Sequence, residues 1–418
     1  MHAITNITRM WLTRSVQPFI FKKEYDRQLP FEECRNLGLY VHIPFCRSIC
    51  DFCPYCKVLY TKKVYDQYID ALLQEIHLVG SRSRGTQKKV TSLYFGGGTP
   101  ALAADRIGEI IAAIREYYQI TEGIGIELHP DNVTVPMLQA LKEAGVTKIS
   151  IGIQSFSEKF QKILGRRPVD FPAMAAALRA VDFETVSMDF IFALPGQTFQ
   201  DLRTDIDLAF ANGANHIAIY PFIDFTFTVS SIRTMPKRKK RKLLDRITRY
   251  CTQKGYRRTS IWTFSNDRGA QYSSMVRENF LGFGCSATTL LKKQFKINTF
   301  SVEEYCRRVE KGLLPTSLTI RFSVRQRMVY YLFWAAYSME VSAEEFERFF
   351  KAPLEKMYGL ELRLAERLGF LTSRDGIYRM TSKGAFYYHY YENFYTLAYI
   401  DKMWGIMRRE AFPDGIRL

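Results

Sequence analysis

The chain has 418 residues, of which 47% are hydrophobic, and it contains 31 Phe and 25 Tyr. This composition excludes an intrinsically disordered protein and allows one large domain plus a smaller one. The formal net charge of +17 favours anionic partners without choosing among nucleic acid, phospholipid and a small polycarboxylate. No stretch approaches the ~20 apolar residues that span a bilayer. No signal-peptide pattern opens the sequence, so we expect a cytoplasmic protein.

From residue 38 to about 225 the sequence alternates apolar strands with amphipathic helices. The predicted strands are 39–43, 90–95, 124–128, 148–151, 186–192 and 216–220. The predicted helices are 65–78, 106–118, 134–144, 156–180 and 198–211. Repeated strand–helix units imply a parallel sheet, and six of them suit a partial (βα)6 barrel. In such a barrel the chemistry lies at the carboxyl ends of the strands.

The remainder of the sequence is less regular. A basic run at 237–242 begins a helix, which we interpret as a solvated helix face. Residues 368–384 suggest a helix followed by a hairpin, as in a winged helix. We therefore predict an α/β fold with four parts. They are an N-terminal extension (1–37), the partial barrel (38–235), a barrel-completing segment (236–316) and a mainly helical, winged-helix-like C-terminal module (317–418).

The densest chemical signal is a loop that carries four of the eight cysteines. Cys46, Cys50 and Cys53 have the spacing C-x3-C-x2-C, and Cys56 follows three residues later. In a large chain without a secretion signal such a group binds metal more often than it forms disulfides. Three thiolates can hold a [4Fe–4S] cluster and leave one iron open. That iron can chelate S-adenosylmethionine (SAM), whose reductive cleavage yields a 5′-deoxyadenosyl radical.

Two points about the loop stay open. A structural zinc site is the alternative, although zinc sites usually join two C-x2-C pairs across a longer loop. Cys56 is the second point: as a fourth cluster ligand it would exclude SAM, and as a spare thiol it is a candidate substrate-side or accessory residue.

With these motifs in order, residues 38–290 resemble radical SAM enzymes of the oxygen-independent coproporphyrinogen III oxidase family (HemN-like). The resemblance rests on Tyr-Val-His-Ile-Pro-Phe-Cys at 40–46, Gly-Gly-Gly-Thr-Pro at 96–100, and Gly-Phe-Gly-Cys-Ser-Ala at 282–287. It implies that Cys46, Cys50 and Cys53 ligate the cluster. It leaves the substrate-side catalytic residue unidentified.

The same resemblance implies a set of SAM-binding residues. Tyr40 packs on the cofactor, Phe52 and Ile223 contact the adenine, and Asp189 lies near the ribose. Glu127 and Gln154 face the cofactor from two strand ends, and Arg166 grips its carboxylate in two places. The glycine motif contributes Gly97, Gly98 and Thr99, where missing side chains let backbone amides approach the methionine moiety.

The implied function is a radical reaction on an organic substrate, most directly a tetrapyrrole, by coproporphyrinogen-type decarboxylation or haem modification. The implied partners are one or two SAM molecules and a flavodoxin or ferredoxin electron donor. We expect a monomer that does not bind nucleic acid. Alternatives are a C-methyltransferase or cyclopropanase that uses a second SAM, a haem chaperone, and, ranked last, a winged-helix DNA-binding protein with a structural cluster. The pair Arg167-Pro168 stands where the family often has a histidine.

Overall fold

A computed structural model describes residues 2–23, 29–82, 87–228, 230, 232–266 and 278–418. Small parts of the predicted segments 1–37, 38–235 and 236–316 therefore lie outside the described residues. The N-terminal segment contains helix α1 (His2–Thr13) and strand β1 (Ile20–Lys22).

The next part of the chain consists of strand–helix units. In chain order its elements are β2 (Leu37–Ile43), β3 (Phe45–Cys46), β4 (Val58–Leu59), α2 (Lys62–Gly80), β5 (Lys88–Val90), β6 (Leu93–Gly97), α3 (Ala104–Tyr117), β7 (Tyr118–Ile120), β8 (Ile124–Leu128), α4 (Val135–Glu143), β9 (Lys148–Gln154), α5 (Glu158–Ile163), α6 (Phe171–Ala180), β10 (Thr185–Phe192), α7 (Phe199–Ala211) and β11 (His216–Pro221).

Shorter elements follow these units. They are α8 (Lys237–Gln253), β12 (Arg257–Arg258), β13 (Thr263–Ser265), β14 (Asn279–Phe283), β15 (Thr288–Leu290), β16 (Gln294–Asn298), α9 (Val302–Glu310) and β17 (Thr316–Arg321). The C-terminal part contains α10 (Val324–Tyr337), β18 (Glu340–Ser342), α11 (Ala343–Phe350), α12 (Leu354–Arg367), β19 (Leu371–Arg374), β20 (Ile377–Met380), α13 (Ser382–Tyr395), α14 (Asp401–Met407) and β21 (Gly415–Arg417).

One large sheet organises the described part of the chain. Its order is β12-β13-β11-β10-β9-β8-β6-β2-β14-β15-β16-β17-β1-β21. The six strands from β11 to β2 are mutually parallel and lie in sequence order. These strands are apolar almost throughout because helices cover a parallel sheet. The predicted α/β class with a large parallel sheet and a helical C-terminal part is confirmed.

The element bounds correct the sequence prediction in three places. The helix predicted over 156–180 is two helices, because Gly165 has φ +67° and Pro168 lies in the segment that joins them. The strand predicted over 90–95 is interrupted at 91–92, where β5 ends before β6 begins. Gly282 lies inside β14, and the turn itself is at Gly284, with φ +98°.

The C-terminal part has its own small core. Helices α10, α11 and α12 pack beside the three-stranded sheet β18-β20-β19, in the helix–strand–helix–helix–hairpin order of a winged helix. Its buried residues are Met328, Val341, Phe346, Leu354, Tyr358 and Tyr378. Strand β21 returns to the large sheet by pairing with β1, which also pairs with β17. In the described part of the chain no helix is long and apolar enough to span a membrane.

A buried carboxylate on α2 holds the turn after β14 against the sheet. Glu75 accepts hydrogen bonds from the Gly284 backbone N–H at 2.7 Å, the Tyr305 hydroxyl at 2.6 Å and the Asn298 amide at 3.1 Å. Burial nevertheless raises the pKa of Glu75 to about 7. The folded chain therefore holds this proton more tightly than the unfolded chain. The corresponding contribution to stability is complete below about pH 4.5 and is lost as the pH rises through about 7.

We predict that Glu75→Gln lowers the free energy of unfolding by about 1–3 kcal/mol, because one amide oxygen replaces two oxygens that accept three hydrogen bonds. The penalty should be larger at about pH 5 than at about pH 8, since only the wild type carries the titrating group. Urea unfolding at the two pH values measures both effects. Glu158→Gln, at an exposed site on α5, is the control and should change neither. An equal penalty at both pH values would contradict the titration.

Candidate functional site

The register of the parallel strands brings predicted site residues from distant parts of the chain together on one face of the sheet. Tyr40 of β2 pairs in register with Tyr94 of β6, and their rings stack with centroids 6.4 Å apart. The Tyr94 hydroxyl donates to Glu127 of β8 at 3.0 Å. Glu127 is opposite Ser150 of β9, whose hydroxyl donates to Asp189 of β10 at 2.9 Å. A polar row therefore crosses five neighbouring strands, β2, β6, β8, β9 and β10.

The two carboxyl groups of this row are held in unusual states. Burial, assisted by the neighbouring Asp189, raises the pKa of Glu127 to about 7, although Tyr94 and the Gly97 N–H donate to it. Burial also raises the pKa of Asp189 to about 6, although Ser150 and Ser187 donate to it. Both side chains are partly accessible to solvent. They thus line an interior space in which a cation would be stabilised.

The predicted glycine motif packs tightly against the backbone of residues 43–45, immediately before the cysteine loop, which we define as residues 46–56. A Cβ at Gly97, where φ is +129°, would lie 2.6 Å from the Ile43 carbonyl oxygen. A Cβ at Gly98 would lie 2.7 Å from the carbonyl oxygens of Pro44 and Phe45. The Thr99 N–H donates to Phe45 O at 2.8 Å. The motif is thus required by close packing at the start of the loop.

The three predicted ligands share one environment. The Cys46 thiol is 9% exposed, accepts a hydrogen bond from the Thr99 hydroxyl at 3.8 Å, and has its pKa raised by burial to about 11. The Cys50 and Cys53 thiols lie close enough to raise this pKa further. Burial also raises the pKa of Cys53. All three are free thiols, and the crowding of three thiols in one loop suits a bound cation.

Cys56 lies apart from these three thiols. Its sulfur donates to the Phe300 carbonyl at 3.3 Å and lies 4.0 Å from the Cys285 sulfur. The pKa of its thiol is lowered by the Cys285 and His42 contacts. Cys56, at the end of the cysteine loop, therefore faces the turn after β14.

Gln154 and Arg166 have their side chains next to each other, beside Gly152 of β9. Gln154 ends the strand with φ +69°, and the β9–β10 register shifts beside it, between Met188 and Phe190. A non-glycine residue in the left-handed region is strained, and such strain is concentrated at functional positions. The Arg166 guanidinium donates to the Ile153 carbonyl at 3.3 Å and to that of Gly152. Its Nε is buried with no hydrogen-bond partner among the described residues.

The two remaining predicted residues, Phe52 and Ile223, lie near the ends of β10 and β11. Phe52 packs against a small buried cluster that includes Ile191, Leu194 and Phe222. Ile223 follows β11 by two residues and is partly exposed. The structure thus places both near the end of β10 and β11, on the same side as Asp189.

An aromatic group, which we call the Trp404 cluster, lies beside the cysteine loop and was missed by sequence reasoning. Trp404 of α14 contacts the rings of Tyr55, Phe225, Phe227 and Phe300 at centroid distances of 6.0–6.5 Å. Tyr55, which belongs to the cysteine loop, is 53% exposed. The only signal in the sequence was the aromatic richness of the C-terminus.

The cationic edge of this cluster is Arg408. Its guanidinium is 4.8 Å from the Phe227 ring centroid and 5.9 Å from that of Phe300. It also donates to the carbonyl of Pro54 within the cysteine loop. A helix from the C-terminal part is therefore fastened directly to the loop.

Residues 40–209 match the model of the radical SAM superfamily. The chain is 27% identical over 363 residues to the Heme chaperone HemW of Lactococcus lactis, covering 82% of this chain and 93% of that protein. It is 27% identical over 307 residues to the oxygen-independent coproporphyrinogen III oxidase of Cereibacter sphaeroides, covering 67% and 68% respectively. The solved structure of coproporphyrinogen III oxidase (HemN) from Escherichia coli superposes with a TM-score of 0.74 at 22% identity, covering 92% of this chain and 96% of that one. At this level of identity, the likeness to the Escherichia coli structure shows a shared fold.

We predict that Gly98→Ala lowers the free energy of unfolding by about 1–3 kcal/mol, because the added methyl group must displace backbone carbonyls at the loop entry. Thermal unfolding of the purified chain measures the effect. Gly108→Ala is the matched control: it lies on α3 with nothing within 4 Å of the new Cβ. That control should be stabilised by about 0.5–1 kcal/mol. A Gly98→Ala variant that unfolds at the wild-type midpoint would contradict the close packing.

Proposed function

The chain is a HemN-like member of the radical SAM superfamily, and from that premise we propose that it is a radical SAM enzyme that acts on a tetrapyrrole. The superfamily implies a [4Fe–4S] cluster and bound SAM. We propose Cys46, Cys50 and Cys53 as the cluster ligands. Once bound, the cluster and SAM together supply a 5′-deoxyadenosyl radical for hydrogen abstraction.

The arrangement of the thiols fits this cofactor better than it fits a four-cysteine zinc site. Three thiols crowd together in the loop, whereas the fourth, on Cys56, is hydrogen-bonded elsewhere, to Phe300 and Cys285. A set of three ligands leaves one iron available for SAM. Cys56 is accordingly not proposed as a cluster ligand.

The polar row suits the charges of SAM. Burial raises the pKa of both the Glu127 and the Asp189 carboxyl groups, and Asp189 adds to the rise at Glu127, so a ligand carrying an ammonium and a sulfonium group would favour their ionised forms. Arg166 has a buried, unsatisfied Nε that can donate to the ligand's carboxylate. Tyr40, Phe52 and Ile223 supply apolar surface.

The remaining proposed SAM-binding residues act through the backbone or a side-chain amide. Gly97, Gly98 and Thr99 form a turn in which a Cβ at either glycine would meet backbone carbonyl oxygens. Gln154 presents its amide from a strained strand end.

The observation that carries the substrate proposal is the Trp404 cluster with Arg408 at its edge. A broad aromatic surface beside the cysteine loop suits a flat ring system, and an exposed guanidinium suits carboxylate side chains. The relatives named as coproporphyrinogen III oxidases act, by name, on a tetrapyrrole. We propose that propionate-bearing tetrapyrroles bind there, and that a flavodoxin or ferredoxin supplies the electron.

A second candidate function is supported by the relatives named as heme chaperones, one of which matches over 93% of its length. In that case haem would bind at the same surface and leave unchanged. The methyltransferase and cyclopropanase alternatives differ from these two functions in the product into which SAM is converted.

The test of the proposed function is an anaerobic assay with reconstituted protein, reduced flavodoxin, SAM, and either coproporphyrinogen III or haem. We expect 5′-deoxyadenosine and a change in tetrapyrrole mass with one of the two substrates. Cys53→Ala should lose iron and all cleavage, whereas Cys306→Ala, a partly exposed cysteine on α9, should retain both. Methionine and 5′-deoxyadenosine are the expected products of SAM.

Three other outcomes would contradict parts of this proposal. Haem that binds and is released unchanged, without 5′-deoxyadenosine, would support the chaperone. S-adenosylhomocysteine or methylthioadenosine would support a transferase. A Cys53→Ala variant with full iron content and activity would refute the ligand assignment.

We also predict that Glu127→Gln weakens SAM binding by roughly 10-fold, the loss that corresponds to one hydrogen bond to a charged group. Because the pKa of Glu127 is raised to about 7, the wild-type Kd should rise as the pH falls from about 8 to about 6, and the variant's Kd should rise less. Equilibrium dialysis with labelled SAM measures both. Glu158→Gln, at an exposed position, should behave as wild type. An identical pH dependence in Glu127→Gln would contradict the assignment.

A further inference from the structure

A second group of metal-binding side chains lies behind the cysteine loop. His42, Cys56 and Cys285 are all buried, and one ligand atom from each lies within 4.8 Å of the others. They come from three elements: strand β2, the end of the cysteine loop and the turn after β14. We propose that these three side chains form a second metal site, separate from the cluster ligands, that takes Zn²⁺ or a similar thiolate-binding divalent cation.

The distances suit one tetrahedral ion. With Zn–S bonds of ~2.3 Å, two thiolates on the same tetrahedral zinc lie ~3.8 Å apart. The Cys56 and Cys285 sulfurs are 4.0 Å apart, and both are free thiols. Little movement is therefore needed for both to bind the same ion.

His42 has the outer partner that a metal-binding histidine usually has. Its Nδ1 lies 3.0 Å from the Tyr40 hydroxyl, while its Nε2 is on the side of Cys56 and Ser286. A ligating imidazole typically presents one nitrogen to the metal and donates from the other to a fixed acceptor. Tyr40 can be that acceptor, so we assign Nε2 as the ligand.

Ser286 is a candidate for the fourth ligand of this ion. The Ser286 hydroxyl lies 3.3 Å from His42 Nε2 and belongs to the residue directly after Cys285. The backbone there is held in a left-handed conformation, φ +56°, and the Ser286 N–H donates to the Thr299 carbonyl at 2.7 Å. Two sulfurs, one imidazole and one oxygen complete a tetrahedral set.

Metal binding at this site needs no oxidant or reductant, because only protons are released or moved. In the metal-free form His42 Nε2 donates to the Cys56 carbonyl at 2.9 Å, and Nδ1 accepts from Tyr40. On binding, the two thiol protons are released, the ring proton moves from Nε2 to Nδ1, and Nδ1–H then donates to the Tyr40 oxygen. Two thiolates and a divalent ion leave the buried site neutral, which avoids an uncompensated buried charge.

The consequence for the proposed cluster is structural. An ion at this position would fasten the end of the cysteine loop to the turn after β14, the same turn that Glu75 holds through Gly284. It would also keep the Cys56 thiolate away from the three thiols at the front of the loop. The second site itself does not depend on radical chemistry.

The test uses the full chain with Cys46, Cys50 and Cys53 all replaced by serine, so that cluster thiols cannot bind the probe. Anaerobic titration with Co²⁺ should give one ion per chain, with thiolate-to-cobalt charge-transfer absorption and the intense d–d bands of a tetrahedral site. Zn²⁺ should displace it. Adding Cys285→Ala should weaken binding at least ~100-fold, more than the 10–100-fold typical of an outer-shell partner. Cys251→Ala, another buried cysteine, is the matched control and should bind as the parent does.

A second measurement covers the case in which the serine variant does not fold. Wild-type protein, reconstituted anaerobically with iron, sulfide and Zn²⁺, should contain zinc in addition to its iron. Cys285→Ala should lose the zinc and keep the iron, a result that is independent of whether SAM is cleaved. Absence of bound cobalt or zinc, a spectrum without thiolate bands, or equal metal content in Cys285→Ala would each overturn the proposal.

Discussion

Seven neighbouring strands, from β11 to β14, run parallel, and the geometry of the site depends on that direction. Parallel strands can only be joined by crossovers on the sheet faces, so their carboxyl ends share one edge. On one face of this sheet the register places Tyr40 beside Tyr94 and Glu127 beside Ser150. A polar row assembled in this way needs no contact between residues that are close in sequence.

Burying the carboxyl groups of this row lowers the stability of the folded chain. The packing of the surrounding sheet must offset that loss. Two carboxyl groups share a buried space, and each has a raised pKa because ionisation is expensive there. Hydroxyl donors from neighbouring strands offset part of that cost. The part of this cost that is not offset favours a cationic ligand. The proposed affinity for SAM therefore has the same physical origin as the high cost of ionisation in the free protein.

The cysteine loop depends on contacts from outside the strand–helix units. The glycine motif packs on the residues just before the loop, Arg408 at the end of α14 donates to the loop's Pro54 carbonyl, and the turn after β14 contacts its last cysteine. The C-terminal part therefore does not simply follow the sheet in sequence. It closes over the loop and brings Trp404 to a place where a flat substrate would meet both an aromatic surface and a positive charge.

The order of strands and helices, the cysteine spacing and the HemN-like resemblance were determined by the sequence alone. Hydrophobic periodicity is local, and a C-x3-C-x2-C loop brings its thiols together over a few residues. The split of the helix predicted over 156–180 was not recognised, because Gly165 and Pro168 interrupt a pattern that otherwise reads as continuous. Only the tertiary structure decided what Cys56 faces. Its partners are Cys285, 229 residues away, and the Phe300 carbonyl. Contacts at such a separation follow from strand order and turn geometry, so spacing within a motif does not determine them.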